Sequence, residues 1–188
     1  MTKFFAFCSV IAMAIAAVSF ASCDKDDDKT TELDPKPTVT YAKYVARISD
    51  DFLKYGEMTV TFEANNESKT YKMSEVQKST LDLKPLAGED RKLAVHELVI
   101  PAFEVKSKPV QVTIKYELSE AGKKACAAAA EGDKFDFVMI HTLGECNEKG
   151  EFKEGVTDTK KISLDCPLNR MEEFLETIRR GELISKKL

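Results

Sequence analysis

The chain has 188 residues, of which 43% are hydrophobic and 32% are charged, and its net charge at pH 7 is −4. This acidic balance leaves no basic stripe for nucleic acid and no polybasic patch for anionic lipid. The length accommodates one domain with a sizeable core together with a terminal extension.

An apolar segment follows the N-terminus directly. Lys3 is the only charged residue before Asp24, and the 15 residues from Phe4 to Val18 are predominantly apolar. A positive start, an apolar core and small residues at its end predict a secretory leader over residues 1–22. A permanent membrane-spanning helix needs about 20 apolar residues, so an uncleaved anchor is the weaker interpretation of this segment.

The leader ends in the sequence Phe20-Ala21-Ser22-Cys23. This stretch resembles the lipobox of bacterial lipoproteins, in which small residues precede an invariant cysteine. The resemblance implies that the Cys23 thiol receives a diacylglyceryl group, that cleavage makes Cys23 the first residue, and that its amine is then acylated. Two or more acyl chains hold a protein stably on a membrane. Ordinary secretory cleavage after Ala21, which leaves a free cysteine, is the alternative.

A charged cluster follows the cysteine at once, and its members are Asp24, Lys25, Asp26, Asp27 and Asp28. The cluster resembles the acidic export signal of surface lipoproteins of the Bacteroidota, which implies transport to the outer leaflet of the outer membrane. A solvated spacer is the alternative, because like charges repel and keep a chain extended. Two prolines follow at positions 35 and 37. We therefore predict that residues 23–40 are a lipidated tether to the cell outer membrane.

Residues 41–188 are predicted to form one globular domain rich in strands. Residues 58–64 and 110–118 alternate between apolar and polar side chains, which is the pattern of a half-buried strand. The turn sequence at residues 65–68 makes a hairpin of the first of these segments and residues 69–73. Residues 135–143 are apolar on both faces in their middle, so they fit a central strand.

Weaker alternation marks the remaining strands, which are predicted at residues 41–48, 79–84, 93–100 and 162–166. In the last of these, Ile162, Leu164 and Cys166 share one face if the strand is regular. Mostly alternating strands with few helices indicate an α+β fold that is mainly β. We predict a single sandwich-like domain, rich in antiparallel strands, with two added helices.

The first helix is predicted at residues 120–131, with Ser119 as its cap and Gly132 as its end. It is a crossover connection if residues 110–118 and 135–143 are parallel neighbours, which the sequence leaves open. The second helix is predicted at residues 170–180, capped by Asn169. Its apolar stripe consists of Met171, Phe174, Leu175 and Ile178.

Three cysteines fall within the predicted domain, so at least one is unpaired within the chain. A hairpin that places Leu143 opposite Lys160 separates Cys146 from Cys166 by about 20 Å, which is too far for a disulfide. The favoured pair is therefore Cys126 with Cys166, which leaves Cys146 as the reactive thiol. An arrangement with three unpaired thiols is the alternative.

A cysteine hydrolase would use an imidazole and a thiol such as those of His141 and Cys146. No orienting Asn or Asp is identifiable beside them, and His141 shares its face with Phe137 and Met139, which favours a place in the core or at its rim. The chain has only two histidines and no CxxC or HxxxH spacing, so no zinc site is predicted. No catalytic residue, metal or cofactor is assigned.

The function favoured by these features is a non-enzymatic binding or assembly module displayed on the cell envelope, with a protein or a glycan as ligand. The chain has no Trp, and four of its tyrosines, Tyr41, Tyr44, Tyr55 and Tyr71, lie early in the domain, where alternation favours the core. One alternative is an envelope hydrolase whose site is assembled by folding. Another is an inhibitor of a host or competitor enzyme that acts through the loop at residues 144–158.

Overall fold

The computed structural model of the chain describes residues 39–107, 109–181 and 185–188. The strands in these ranges are β1 Tyr41–Ser49, β2 Gly56–Ala64, β3 Glu67–Lys72, β4 Gln77–Asp82, β5 Lys92–Glu104, β6 Gln111–Leu118, β7 Lys134–Cys146, β8 Thr159–Pro167 and β9 Ser185–Lys187. The helices are α1 Asp50–Leu53, α2 Lys84–Ala87, α3 Glu120–Ala128 and α4 Met171–Gly181. The predicted strands and both predicted helices are present, and the two four-residue helices are additional.

The β2–β3 hairpin shows how local sequence produces this fold. Asn65 and Asn66 have φ values of 52° and 65°, which is the left-handed conformation that a two-residue hairpin turn of type I′ requires. Asparagine tolerates this conformation better than most residues. The turn is therefore shorter than predicted, and β3 begins at Glu67.

The strands form two antiparallel sheets. The five-stranded sheet has the order β4-β5-β1-β7-β8, and the four-stranded sheet has the order β3-β2-β6-β9. One core cluster contains buried side chains from both sheets, including Tyr44 and Ile48 of β1, Val60 of β2 and Ile114 of β6. The predicted α+β, mainly β, sandwich-like domain is thus confirmed.

Helix α3 connects the two sheets. The Ser119 hydroxyl accepts a hydrogen bond from the Gly122 amide at 2.9 Å, as the predicted cap requires. Because β6 and β7 belong to different sheets, α3 is not a crossover between parallel neighbours. The helix ends before the predicted residue 131, since Ala129 is extended and the Asp133 carboxylate accepts the Ala130 amide at 2.8 Å.

Helix α4 covers one end of the core. Its side chains Met171, Leu175 and Ile178 are buried, so the predicted apolar stripe faces inward. The Phe174 ring lies 5.1 Å from that of Phe137. A 3₁₀ turn over Leu168–Arg170 precedes the helix, so Asn169 lies inside this turn rather than acting as the cap.

Strand β7 is buried on both faces, as predicted for a central strand. Val138 and Ile140 belong to a second apolar cluster with Leu83, on the face away from the main core. The predicted register of β7 with β8 is wrong by three residues, because Lys160 pairs with Ile140. The loop before β8 folds back on the end of β7, where Phe152 pairs with Cys146. The end of β7 is therefore not free to pair with β8.

A bulge near the end of β8 changes the face of the sheet on which its last side chains lie. Phe137 pairs with Ser163 but Phe135 pairs with Cys166, so Leu164 and Asp165 together oppose one residue of β7. Asp165 has a φ of 53°, and its amide donates to an Asp136 carboxylate oxygen at 3.0 Å. The extra residue turns Cys166 to the core side, away from the face that Leu164 occupies.

Candidate functional site

The residues predicted for lipidation and export, Cys23 and the acids at 24–28, lie outside the described residues, as do the leader and most of the tether. Within the described ranges, no helix is long and apolar enough to cross a membrane. No group of three or more His, Cys, Asp or Glu side chains in these ranges is arranged to hold a metal ion. The sites that the structure describes therefore lie in the folded domain.

The structure does not bring His141 and Cys146 together as a catalytic pair. Both lie on β7, and side chains five positions apart on an extended strand point to opposite faces and lie about 17 Å apart. His141 is fully buried beside the Tyr44 ring, at a centroid distance of 6.1 Å. Cys146 is 2% exposed. Neither side chain is placed to meet a substrate.

The three cysteines of the domain are free thiols, so the favoured bridge between Cys126 and Cys166 is absent. Cys126 is buried in the core, whereas Cys166 lines a shallow groove of about 230 Å³ with Phe174 and other α4 side chains. Phe174 also packs on Phe135, the strand partner of Cys166, at 5.7 Å between ring centroids. Cys166 therefore shares its groove with side chains of α4, and no described residue of α3 lines that groove.

We expect an alkylating reagent to modify Cys166 before Cys126 or Cys146 in the folded full-length protein. Burial raises the pKa of all three thiols, so access of the reagent decides the order. Cys166 is half-buried and the others are buried. Peptide mapping after brief iodoacetamide treatment measures the order, and the same treatment in urea should modify all three. Early modification of Cys146, which the predicted bridge implied, would contradict the structure.

The loop at residues 147–158, which is the bulk of the candidate inhibitory loop, is bound to the sheet rather than projecting from it. The Lys153 amide donates to the Glu145 carbonyl at 3.0 Å, and the Lys43 ammonium donates to the Gly150 carbonyl at 3.0 Å. Phe152 and Val156 are only partly exposed, while most of the other loop side chains are exposed and polar. Because partners usually anchor on apolar or aromatic side chains, this loop is a poor inhibitory surface.

Gly144 is where this loop makes its closest approach to β7. A Cβ atom at position 144 would lie 2.4 Å from Cγ1 of Val156. We expect Gly144→Ala to lower the free energy of unfolding by about 1–3 kcal/mol, through overpacking. Val156→Ala deletes the two atoms that clash most and leaves only Cβ of residue 156, at 3.1 Å, so the double variant should be more stable than the sum of the two single changes predicts. Urea denaturation of the four proteins measures this coupling, and strictly additive effects would contradict the contact.

A polar cluster at the start of α1 resembles part of a catalytic triad but is structural. His96 Nε2 and the Lys78 ammonium both lie 2.8 Å from Oδ1 of Asp50, and these hydrogen bonds, led by that of Lys78, lower the pKa of Asp50. His96 is 4% exposed. The neighbouring Ser49 hydroxyl instead donates to the Asp136 carbonyl at 2.8 Å. The cluster therefore ties α1 to β4 and β5 without an accessible nucleophile.

The stronger candidate is a cleft where the β2–β3 hairpin meets the last part of β5. Its volume of about 440 Å³ is within the range of ligand-binding clefts. The side chains that line it are Phe62, Ala64, Asn65, Glu67, Lys69, Tyr71, Ile100, Pro101, Phe103 and Lys106. We call it the aromatic cleft.

The aromatic cleft exists because neighbouring strands end at different places. β4 pairs with β5 only over Lys92–Glu97, so no described strand borders Leu98–Glu104 on the side away from β1. On the other sheet, β3 places Lys69 opposite Phe62 and Tyr71 opposite Val60. Opposed residues share one face of a sheet, so both β3 side chains lie on the core-bearing face. The cleft lies where the five-stranded sheet does not cover this face of the four-stranded sheet.

The inner wall of the aromatic cleft is apolar. The Phe62 ring, 8% exposed, packs edge-to-face on the Phe103 ring at a centroid distance of 5.6 Å. Pro101 has no amide hydrogen for the strand ladder, and it lies in a bulge where two β5 residues oppose Lys43. The bulge follows Ile100 and precedes Phe103, so it shapes the apolar wall directly.

Asn65 holds the two sides of the aromatic cleft in place. Its amide nitrogen donates to the Glu104 carbonyl at 2.9 Å. Its carbonyl oxygen accepts the amides of Lys106 and Ser107 at 2.8 and 3.3 Å. These bonds join the hairpin tip to the segment after β5. A cleft fixed in this way loses little conformational freedom when a ligand binds.

The rim of the aromatic cleft is charged. The Lys69 ammonium lies 4.9 Å from the centre of the Tyr71 ring, within the range of a cation–π contact. Lys106 and Glu67 are exposed. Among the described residues of the lining there is no Ser, Thr, Cys or His side chain. The cleft therefore offers apolar contact area and charge, which are suited to binding.

Sequence reasoning missed this site, although one signal was present. It assigned the alternating tyrosines to the core, and Tyr44 is indeed buried there, but Tyr71 borders the cleft. The available signal was the alternation of Glu67, Lys69 and Tyr71 in register with the apolar residues of β2. Charges on a core-facing side of a strand mark an edge that is left uncovered.

Comparisons of the chain with protein-family models, with curated protein sequences and with solved structures find no match.

Proposed function

We propose that this protein is a lipid-anchored protein of the outer membrane that is displayed on the cell surface and binds a ligand through the aromatic cleft without transforming it. The leader that ends at Cys23 supports the anchor, and the acidic cluster at 24–28 supports display on the outside. The anchor keeps the protein at the membrane while the folded domain meets its ligand. No cofactor takes part in this function.

The pre-formed aromatic cleft is the observation that carries the proposal. Its apolar wall consists of the partly exposed Ile100 and Phe103 and the exposed Pro101, backed by the buried Phe62 ring, and the hydrogen bonds of Asn65 hold its two sides in place. Exposed apolar surface rimmed by polar side chains is typical of interaction sites. Glu67 is the one carboxylate among the described residues of the lining, and it is exposed.

Filling the aromatic cleft tests the proposal on intact cells. Ala64→Phe places a ring in the cleft from a partly exposed position, and Ala127→Phe, on an exposed position of α3, is the matched control. Cells that make the wild-type full chain are treated with an amine-reactive cross-linker. We expect an adduct with the ligand for the wild type and the control, and loss of that adduct for Ala64→Phe.

Protease treatment of the same cells reports whether each variant is displayed equally. An adduct that persists unchanged in displayed Ala64→Phe would contradict the aromatic cleft as the site. Turnover of a peptide, polysaccharide or ester by the wild-type full chain would contradict a purely binding role and favour an envelope hydrolase.

A further inference from the structure

We propose that the ligand of the aromatic cleft is an extended segment of a partner protein in which an apolar side chain is flanked by carboxylates. This inference rests on the proposed function, since it names the class of ligand for the same site. Three observations support it: the contacts that the aromatic and amide groups of the cleft already make, the β5 edge beside the cleft that pairs with no described strand, and the charges of the rim.

The aromatic and amide groups of the cleft favour a peptide over a saccharide. A sugar ring usually stacks on an open aromatic face, but the Lys69 ammonium already lies over the Tyr71 ring. Sugar hydroxyls also need planar polar side chains, and all of the hydrogen bonds of Asn65 described above hold the protein together. The remaining inner surface, Phe62 and Phe103 included, suits an apolar side chain.

A part of the β5 edge that pairs with no described strand lies next to the cleft and favours an extended segment. Pairing with β4 reaches only to Glu97, and beyond it the turn Met73–Glu75 contacts β5 without forming a strand. Main-chain groups on such an edge bind an incoming strand, while pockets beside the edge accept alternate side chains. Pro101 and its bulge shorten the edge. Side chains in the cleft must therefore contribute much of the affinity and specificity.

The rim charges favour carboxylates on the ligand. Among the described residues that line the cleft, two carry ammonium groups, Lys69 and Lys106, and one carries a carboxylate, Glu67. Neither lysine forms an ion pair with a described residue, and the Tyr71 ring that Lys69 contacts is uncharged, so no described carboxylate neutralises either ammonium group. The chain as a whole is acidic, with a net charge of −4, so this local excess of positive charge runs against its average. Complementary charge supplies specificity and speeds association.

Synthetic peptides test the inference on the full-length protein in nanodiscs of zwitterionic lipid, with empty nanodiscs as the blank. The probe is a fluorescein-labelled, end-capped hexapeptide in which aspartate alternates with leucine or phenylalanine. In one comparison peptide lysine replaces aspartate, and in the other serine replaces the apolar residues. We expect the first peptide to bind about tenfold or more tightly than either comparison peptide, and its affinity to fall as salt rises.

Charge reversal at the rim provides the decisive variant. Lys69 and Lys106 are exposed, so the double variant Lys69→Glu with Lys106→Glu should remain folded. We expect this variant to prefer the lysine peptide, and Ala64→Phe to bind none of the three. Equal binding of the aspartate and lysine peptides by the wild type, binding of no peptide, or binding of a uronic-acid oligosaccharide alone would each overturn the inference.

The two proposals fail separately. If no peptide binds but the adduct on intact cells still depends on Ala64, the aromatic cleft remains the binding site and only the class of ligand is wrong. If Ala64→Phe also forms the adduct on intact cells as the wild type does, the proposed function itself fails.

Discussion

Cys23→Ala should abolish incorporation of labelled palmitate into the protein. Lipid attachment at a lipobox requires the thiol of the cysteine that follows the leader, and no neighbouring side chain can replace it. Without acyl chains the chain loses the means of stable membrane attachment. Metabolic labelling followed by immunoprecipitation measures the effect, which should be all-or-none.

Cys8→Ala is the matched control, because it makes the same chemical change inside the predicted leader. The control should be labelled as strongly as the wild type, since residue 8 is removed with the leader. N-terminal analysis of the mature protein should begin at Cys23. Equal labelling of Cys23→Ala and the wild type would contradict lipidation at this position.

Replacing the four aspartates at positions 24, 26, 27 and 28 with asparagine should separate lipidation from display. The thiol is unchanged, so palmitate labelling should persist. If the acids are an export signal, the neutral variant should remain on the periplasmic side of the outer membrane. It should then resist protease added to intact cells. Protease sensitivity equal to that of the wild type would show that the acids are a spacer.

Phe137→Ala should produce the largest loss of stability among single changes in the core. The ring is fully buried and lies 5.4 Å from Phe52, 5.7 Å from Tyr116 and 5.1 Å from Phe174, measured between centroids. It therefore joins both sheets and two helices in one cluster. Removing a buried aromatic ring costs about 3–5 kcal/mol. Domains of this kind have only about 5–15 kcal/mol of total stability.

Phe152→Ala is the control for this change, because it deletes the same ring from a partly exposed position in the loop before β8. Its expected cost is about 1 kcal/mol. Urea denaturation of the full chain, followed by circular dichroism, measures both variants. Equal midpoints for the two variants would contradict a core centred on Phe137.

The parts of the fold that sequence could predict are those set by local periodicity. The alternation in β6 predicted a half-buried strand because side chains on a strand alternate between faces. The two apolar faces of β7 predicted a central strand, and one face does meet the main core while the other meets the cluster around Leu83. The Ser119 cap was equally local.

The parts that sequence could not predict depend on where distant segments meet. The bulge at Asp165 turns Cys166 to the core side, and periodicity alone placed this residue on the same face as Leu164. The register of β7 with β8 depends on how many residues of β7 pair with the loop that connects the two strands. Local alternation contains neither fact, which is why the predicted register of β7 with β8 and the predicted face of Cys166 were wrong.

The aromatic cleft belongs to the same class of feature. Tyr71 and Phe103 are 32 positions apart, and each has the spacing of a core residue. They line one cleft only because β4 stops pairing with β5 at Glu97. Glu67 and Lys69 of β3 indicated an uncovered edge. Sequence alone could not show that Phe103 of β5 lies across the cleft from them.

Site-specific photo-cross-linking on intact cells tests the central claim most directly. Benzoylphenylalanine is introduced at Tyr71, which borders the aromatic cleft, or at Phe152, in the alternative loop surface. Both changes replace one aromatic residue with another. The cross-linked peptides are then identified by mass spectrometry. We predict an adduct at position 71 only, with a protein segment that combines apolar and acidic residues. An adduct at position 152 instead, or no adduct at position 71 in a displayed protein, would contradict the account.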